Sequence, residues 1–255
     1  MIISVINHTN GKVKDEELQR VLRAINRQVR EDFEPYWSLG AMVRLEGRSG
    51  TKPSKNSLSD MRGDAVLYLW DKADVDDALG YHDKNNRGVP FGFVFLEVSK
   101  QAGENWTVTF SHEVLEMIAD PEANLLVLGP HPKEPDREVF HWYEMCDAVQ
   151  AETYKIDGIE VSNFVLPLYF TGGEELGGRN DFLGRSHRGK TLQSFGVNPG
   201  GYVGFYDVEL KDHDTFSRRG DKRAQRIMKA KGRAEDARRA SRHKKLGGGR
   251  GSRSK

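Results

Sequence analysis

The chain has one cysteine, Cys146, so no internal disulfide can staple the fold. No apolar run approaches the roughly 20 residues that span a bilayer, which argues against a membrane segment. The first residues, Met1-Ile2-Ile3-Ser4-Val5-Ile6-Asn7, lack both the basic cluster and the long apolar core of a signal peptide. A protein that is cytoplasmic or particle-associated is expected. The pairs Gly172-Gly173 and Gly200-Gly201 lack the Gly-Lys-Ser/Thr ending of a phosphate loop, so they read as turns. The 255 residues suffice for one large domain or two small ones, and 37% apolar against 30% charged residues predicts a modest core.

Charge is unevenly spread. Of 39 basic and 38 acidic residues, 16 and 3 fall in residues 217–255, so that segment carries +13 and residues 1–216 carry −12. The basic tail has few apolar residues and ends in Gly247-Gly248-Gly249-Arg250-Gly251-Ser252-Arg253-Ser254-Lys255. It cannot bury enough apolar surface to offset its ordering entropy, so it reads as disordered, with a transient helix over Asp221 to Lys245. Such a tail suits contact with nucleic acid phosphates or an acidic protein. It has no interleaved aromatics, which excludes sequence reading by base stacking.

Periodicity divides the rest. Ile2–Thr9 reads as a strand. Asp15–Phe33 reads as an amphipathic helix with Leu18, Val21, Leu22, Ile25 and Val29 on one face. Ala41–Leu45, Ala65–Trp70, Gly92–Ser99 and Trp106–Phe110 read as strands, with loops over Thr51–Asp60 and Asp74–Gly88. Thr153–Ile156 and Ile159–Val161 flank the hairpin turn Asp157-Gly158. A glycine-rich loop follows over Thr171–Gly201, then a last strand over Tyr202–Leu210.

The chemistry concentrates in Ser111-His112-Glu113-Val114-Leu115-Glu116-Met117-Ile118-Ala119-Asp120-Pro121. Ser111 is expected to cap a helix here. Helical spacing puts His112 and Glu116 on one face, where they can hold a divalent ion, with Glu113 beside them to act on water. Val114, Leu115, Met117 and Ile118 predict a buried helix, and buried ionisable groups need partners or a metal. A catalytic zinc site takes three protein ligands. The third is sought among Asp147, Glu144 and Asp120, in that order, with His141 also on offer. The bland readings are a salt-bridge cluster for the helix and ordinary surface acids for Glu144 and Asp147. Cys146 reads as a small buried residue, His82 as a loop histidine able to reach substrate or metal, and Tyr143 or Tyr154 as a candidate to polarise a transition state.

The strand-helix-strand-strand-strand-helix order resembles the catalytic core of the zincin metallopeptidases, with His112, Glu113 and Glu116 at the positions of their His-Glu-x-x-His motif. The chain also resembles a His-Glu-x-x-Glu group of bacterial and phage-type proteins, which has an Asp-Pro after the helix, here Asp120-Pro121, and a downstream acidic segment, here Glu144 to Asp147. The resemblance covers roughly residues 2–170. It implies an α+β fold with a mixed, mostly antiparallel sheet, a long N-terminal helix, an active-site helix and an irregular C-terminal subdomain. It divides the chain into a metal-binding core (1–170), a glycine-rich loop with a final strand packing on it (171–216) and the tail (217–255).

It further implies a metal-dependent hydrolase acting on a peptide or protein. His112, Glu116 and a later acid would hold the ion, Glu113 would be the general base, and the strand Gly92–Ser99 would offer its edge to the substrate. Zinc is the expected ion. The carboxylate in place of the second imidazole also admits calcium, magnesium or manganese. The competing expectations are a non-catalytic structural or binding protein of zincin fold, such as one in a virus particle with its basic tail on nucleic acid, and a hydrolase of non-peptide amides or esters.

Overall fold

Strand β1 (Ile2–His8) is apolar on both faces because it lies inside a sheet covered on both sides. In the computed structural model, which describes residues 1–47, 58, 60–72, 79–172, 178–222, 224 and 225, β1 is followed by helix α1 (Asp15–Arg27). The chain then continues as a π-helical turn over Gln28–Phe33 and a short helix α2 (Glu34–Trp37). The long amphipathic segment read from the sequence is therefore helical throughout. Next come β2 (Met42–Leu45), β3 (Ala65–Trp70), β4 (Gly80–Lys84), β5 (Pro90–Phe95), α3 (Leu96–Ala102) and α4 (Trp106–Ala119).

These five strands form one sheet in the order β2-β1-β3-β5-β4. All pairs are parallel except β4 against β5. The expectation of a mostly antiparallel sheet fails here: the helical segment from α1 to α2 returns the chain so that β2 runs parallel to β1, and β3 and β5 share that direction. It holds for a second sheet, β11-β10-β7-β6, built from β6 (Leu126–Pro130), β7 (Glu138–Trp142), β10 (Tyr202–Asp207) and β11 (Asp212–Ser217). The hairpin β8 (Thr153–Ile156) and β9 (Ile159–Ser162) turns at Asp157-Gly158, both with positive φ, as its sequence predicts. The fold is thus mixed α and β with a long N-terminal helical segment.

One face of the first sheet packs Ile3, Val5, Leu67, Leu69 and Val94 against α1 and α4. The other gathers Ile6, Tyr68, Phe91, Phe93 and Phe95. A fully buried side chain of this size contributes roughly 1.5–3 kcal/mol, so the two layers fix the sheet rigidly beneath α4.

Several single elements differ from their sequence pattern. Gly92–Ser99 is not one strand: β5 ends at Phe95, and Leu96–Ser99 belong to α3. Trp106–Phe110 is not a strand but the first turns of α4. Its cap is Asn105, whose side chain accepts from Thr107 N, rather than Ser111. Ser111 Oγ instead donates to Val108 O and accepts from Ser162 N, pinning β9 to the helix. Within the loop expected over Asp74–Gly88, residues 80–84 form β4; residues 73–78 lie outside the described residues, as does most of Thr51–Asp60. The last strand is followed by a further one, β11. Most of the basic tail, with its expected transient helix, also lies outside the described residues. Among those described, no helix is long and apolar enough to cross a membrane.

Candidate metal centre

Helix α4 is buried along its whole length after Trp106. It crosses β4 at Gly80, where an added Cβ would lie 2.9 Å from Phe93 O, 2.9 Å from Thr109 Cγ2 and 3.1 Å from Glu113 Oε1. A residue with no side chain is needed at that contact. It lets the Glu113 carboxylate lie against the edge strand.

Helical periodicity aligns His112 and Glu116, as their spacing predicts. His112 Nε2 is 3.1 Å from Glu116 Oε2, and both residues are fully buried. The same nitrogen is 3.2 Å from Asp147 Oδ1. Asp147 starts a short 3₁₀ turn (Asp147–Val149) that follows β7. Glu116 Oε1 accepts from Cys146 N at 3.1 Å, which locks the acidic segment onto the helix.

On the β4 side, His82 Nδ1 lies 3.3 Å from Glu113 Oε2 and its Nε2 lies 3.1 Å from the Asp120 carbonyl oxygen. Burial works against charge on His82. The hydrogen bond with Glu113 and the negative field of Glu144, Glu113 and Glu116 outweigh it and raise its pKa to about 9. Burial pushes Glu116 above the ordinary carboxylate range; the charge of His112 opposes this, and Asp147 and Glu144 add to it.

Among the described residues, two buried groups could hold a metal ion: His112, Glu116 and Cys146, and His82, Glu113 and Glu116. In each, one donor atom per residue lies within 4.8 Å of the others. Asp147 belongs to neither group, although its Oδ1 lies 3.2 Å from His112 Nε2. Donors bound at about 2.0–2.1 Å in a tetrahedron stand about 3.3 Å apart, close to the separations from His112 to the Glu116 and Asp147 carboxylates.

The other candidates are placed as follows. Glu144 is buried, and its charge acts on both His82 and Glu116. The Asp120 carboxylate closes the turn after α4, with Oδ2 accepting from Leu125 N at 2.8 Å. His141 lies elsewhere, in the second sheet, with Nε2 at 2.9 Å from Pro130 O. Tyr154 is tied to Asp32 at 2.7 Å, and Tyr143 packs between Trp37 and Phe170.

The sequence places His82 in a loop within reach of a metal, whereas it lies in β4 beside the cluster; Cys146 is buried as expected and also borders the cluster. For His82, the signal available was the glycine two residues earlier, which marks a close backbone approach. Comparisons of this chain with protein-family models, with curated proteins and with solved structures return no match.

Proposed function

We propose that the chain is a metal-dependent hydrolase of zincin type that acts on peptides or proteins. The observation that carries this reading is the approach of Glu116, from the same buried helix, and Asp147, from the 3₁₀ turn, to His112 Nε2, with Glu113 on that helix facing the edge strand. A divalent ion, zinc first among candidates, would supply Lewis acidity for the scissile carbonyl and make water a better nucleophile at neutral pH. Glu113 takes the proton from the attacking water and returns it to the leaving amine. His82, held between Glu113 and the Asp120 carbonyl, fixes the orientation of that carboxylate. The substrate would pair along the free edge of β4. The edge once assigned to Gly92–Ser99 is not available, because β5 is paired on both sides. The tail, 217–255, would contact polyanions or acidic proteins.

A second reading, a metal-stapled protein without catalysis, draws on burial: Glu113 is 1% exposed and already engaged by His82. Elemental analysis of the purified chain beside His112→Ala and Asp147→Ala, with a peptide-library digest of Glu113→Gln, separates the two. The hydrolase gives about one zinc per chain that both alanine variants lose. Glu113→Gln then keeps its zinc and loses roughly 10²–10⁴-fold in turnover. Bound zinc with no cleavage by the wild type selects the staple. Full activity in Glu113→Gln overturns the mechanism.

A further inference from the structure

Away from α4, the chain between β9 and β10 makes a tight turn in which His187 and Lys190 exchange backbone hydrogen bonds. Arg188 and Gly189, both with positive φ, form its tip. Beside this turn is a cavity of about 320 Å³, at the small end of the roughly 300–1,000 Å³ of ligand pockets. Its floor is apolar and fixed, with Leu192 and Val197 buried. Its rim carries Arg188, Lys190, Arg218 and His187, and among the described residues no acidic one lines it.

Among the described residues, Arg188, Lys190 and Arg218 form no ion pair with a carboxylate. Arg218 is held in place by an Nη1 hydrogen bond to the Val197 carbonyl at 3.2 Å. His187 is held from behind, with Nε2 at 2.6 Å from Glu152 Oε1. Glu152 itself faces a neighbouring cavity that it lines with Glu104 and Asp221. Three cationic residues lining one concavity make its potential positive and favour an anion there. Arginine forks match tetrahedral oxyanions in geometry as well as charge.

We propose that this cavity is a binding site for a phosphoryl group, held by Arg188, Lys190 and Arg218 over the Leu192–Val197 floor. The phosphoryl group could belong to a small phosphorylated molecule or to a nucleic acid backbone. The site is independent of the hydrolase reading, since none of its lining residues belongs to the α4 cluster.

The test titrates the full chain with inorganic pyrophosphate in a calorimeter at low salt. Wild type is compared with Arg188→Gln/Lys190→Gln/Arg218→Gln and with a tail variant, Arg238→Gln/Arg239→Gln/Lys244→Gln/Lys245→Gln. The triple variant should bind at least about tenfold more weakly and the tail variant like wild type. Because the three side chains are exposed, the triple variant should keep the wild-type melting temperature. Arg188→Lys, which keeps the charge, should retain most of the affinity.

A second arm adds a short single-stranded oligonucleotide to the wild-type complex. Displacement of pyrophosphate identifies a nucleic acid backbone as the source of the group. Retention of pyrophosphate identifies a small phosphorylated molecule. No pyrophosphate binding by wild type, or a loss seen in the tail variant and not in the triple variant, overturns the proposal.

Discussion

Among the described residues, buried acids meet imidazoles around α4 and around Asn163, and the two sites are built differently. Around Asn163, neutral amide and peptide donors meet both carboxylates, although Asp181 Oδ1 is buried without a hydrogen-bond partner. Glu152 Oε1 meets His187 Nε2 at 2.6 Å and Asn198 Nδ2 at 2.8 Å, while its Oε2 accepts from Asn163 at 3.1 Å. Asp181 Oδ2 accepts from the same amide at 2.7 Å and from Gly184 N at 3.0 Å. Around α4, carboxylates face imidazoles and one another instead. Glu116 and Asp147 both approach one nitrogen of His112, and Glu144 and Asp147 raise the pKa of Glu116 by their charge. Neutral donors ask nothing more of a site. A set of like-charged oxygens converging in a low-dielectric interior is held together against its own repulsion, and it gains most from a cation. The cluster around α4 is the one that could hold a cation.

The sharpest way to break this contrast is to remove the shared donor. Asn163→Ala strips an amide from both Glu152 and Asp181 in a site with no exposure. The expected loss is about 2–4 kcal/mol of unfolding free energy by urea denaturation, with zinc content unchanged. A smaller effect of opposite sign is expected at α4. Asp147→Asn removes one of the mutually repelling charges while keeping the side-chain shape. The metal-free protein should gain about 1 kcal/mol and lose its response to added zinc. In the wild type, zinc at 100 times its dissociation constant should raise stability by about 2.7 kcal/mol. Equal responses of wild type and variant to zinc would show that Asp147 is not a ligand and that the two clusters are alike.

How much of this was legible in the sequence depends on whether an element carries its own pattern. Ala65–Trp70 reads as a strand because its apolar run covers both faces of a buried sheet, and β3 matches it to the residue. His112 and Glu116 are legible because helical spacing alone brings them together. Gly80–Lys84 has no such pattern: Gly80, His82 and Asp83 favour turns, and the segment is a strand only because β5 pairs with it and α4 covers it. His82 could not be placed at the cluster without that pairing.

The start of α4 misleads in the other direction. Thr107, Val108 and Thr109 are β-branched, yet the Asn105 cap and full burial make them helical. Asp147 sits 31 positions beyond Glu116, and only tertiary packing of the 3₁₀ turn decides among the acids near it. Arg188, Lys190 and Arg218 show nothing in sequence, since the cavity exists only where the turn meets the end of β11.

The smallest effect is a slope, and it tests whether the two clusters also differ in their protons. Burial holds the Asp181 carboxyl above its ordinary 3.8, although Asn163 pulls the other way. The folded chain therefore keeps this proton to higher pH than the unfolded chain does. Its contribution to stability is complete below 3.8 and is lost as pH rises through the folded value. Glu116 has the same sign, so both clusters should make the protein less stable as pH climbs through this range. Zinc distinguishes them, because ion binding requires deprotonated ligands and offsets the loss at α4 alone. Unfolding free energies measured across that window in saturating zinc should retain a negative slope, shallower in Asp181→Asn than in wild type. If zinc abolishes the slope in the wild type, the Asp181 cluster carries no proton of its own and the donors around it are stronger than its burial.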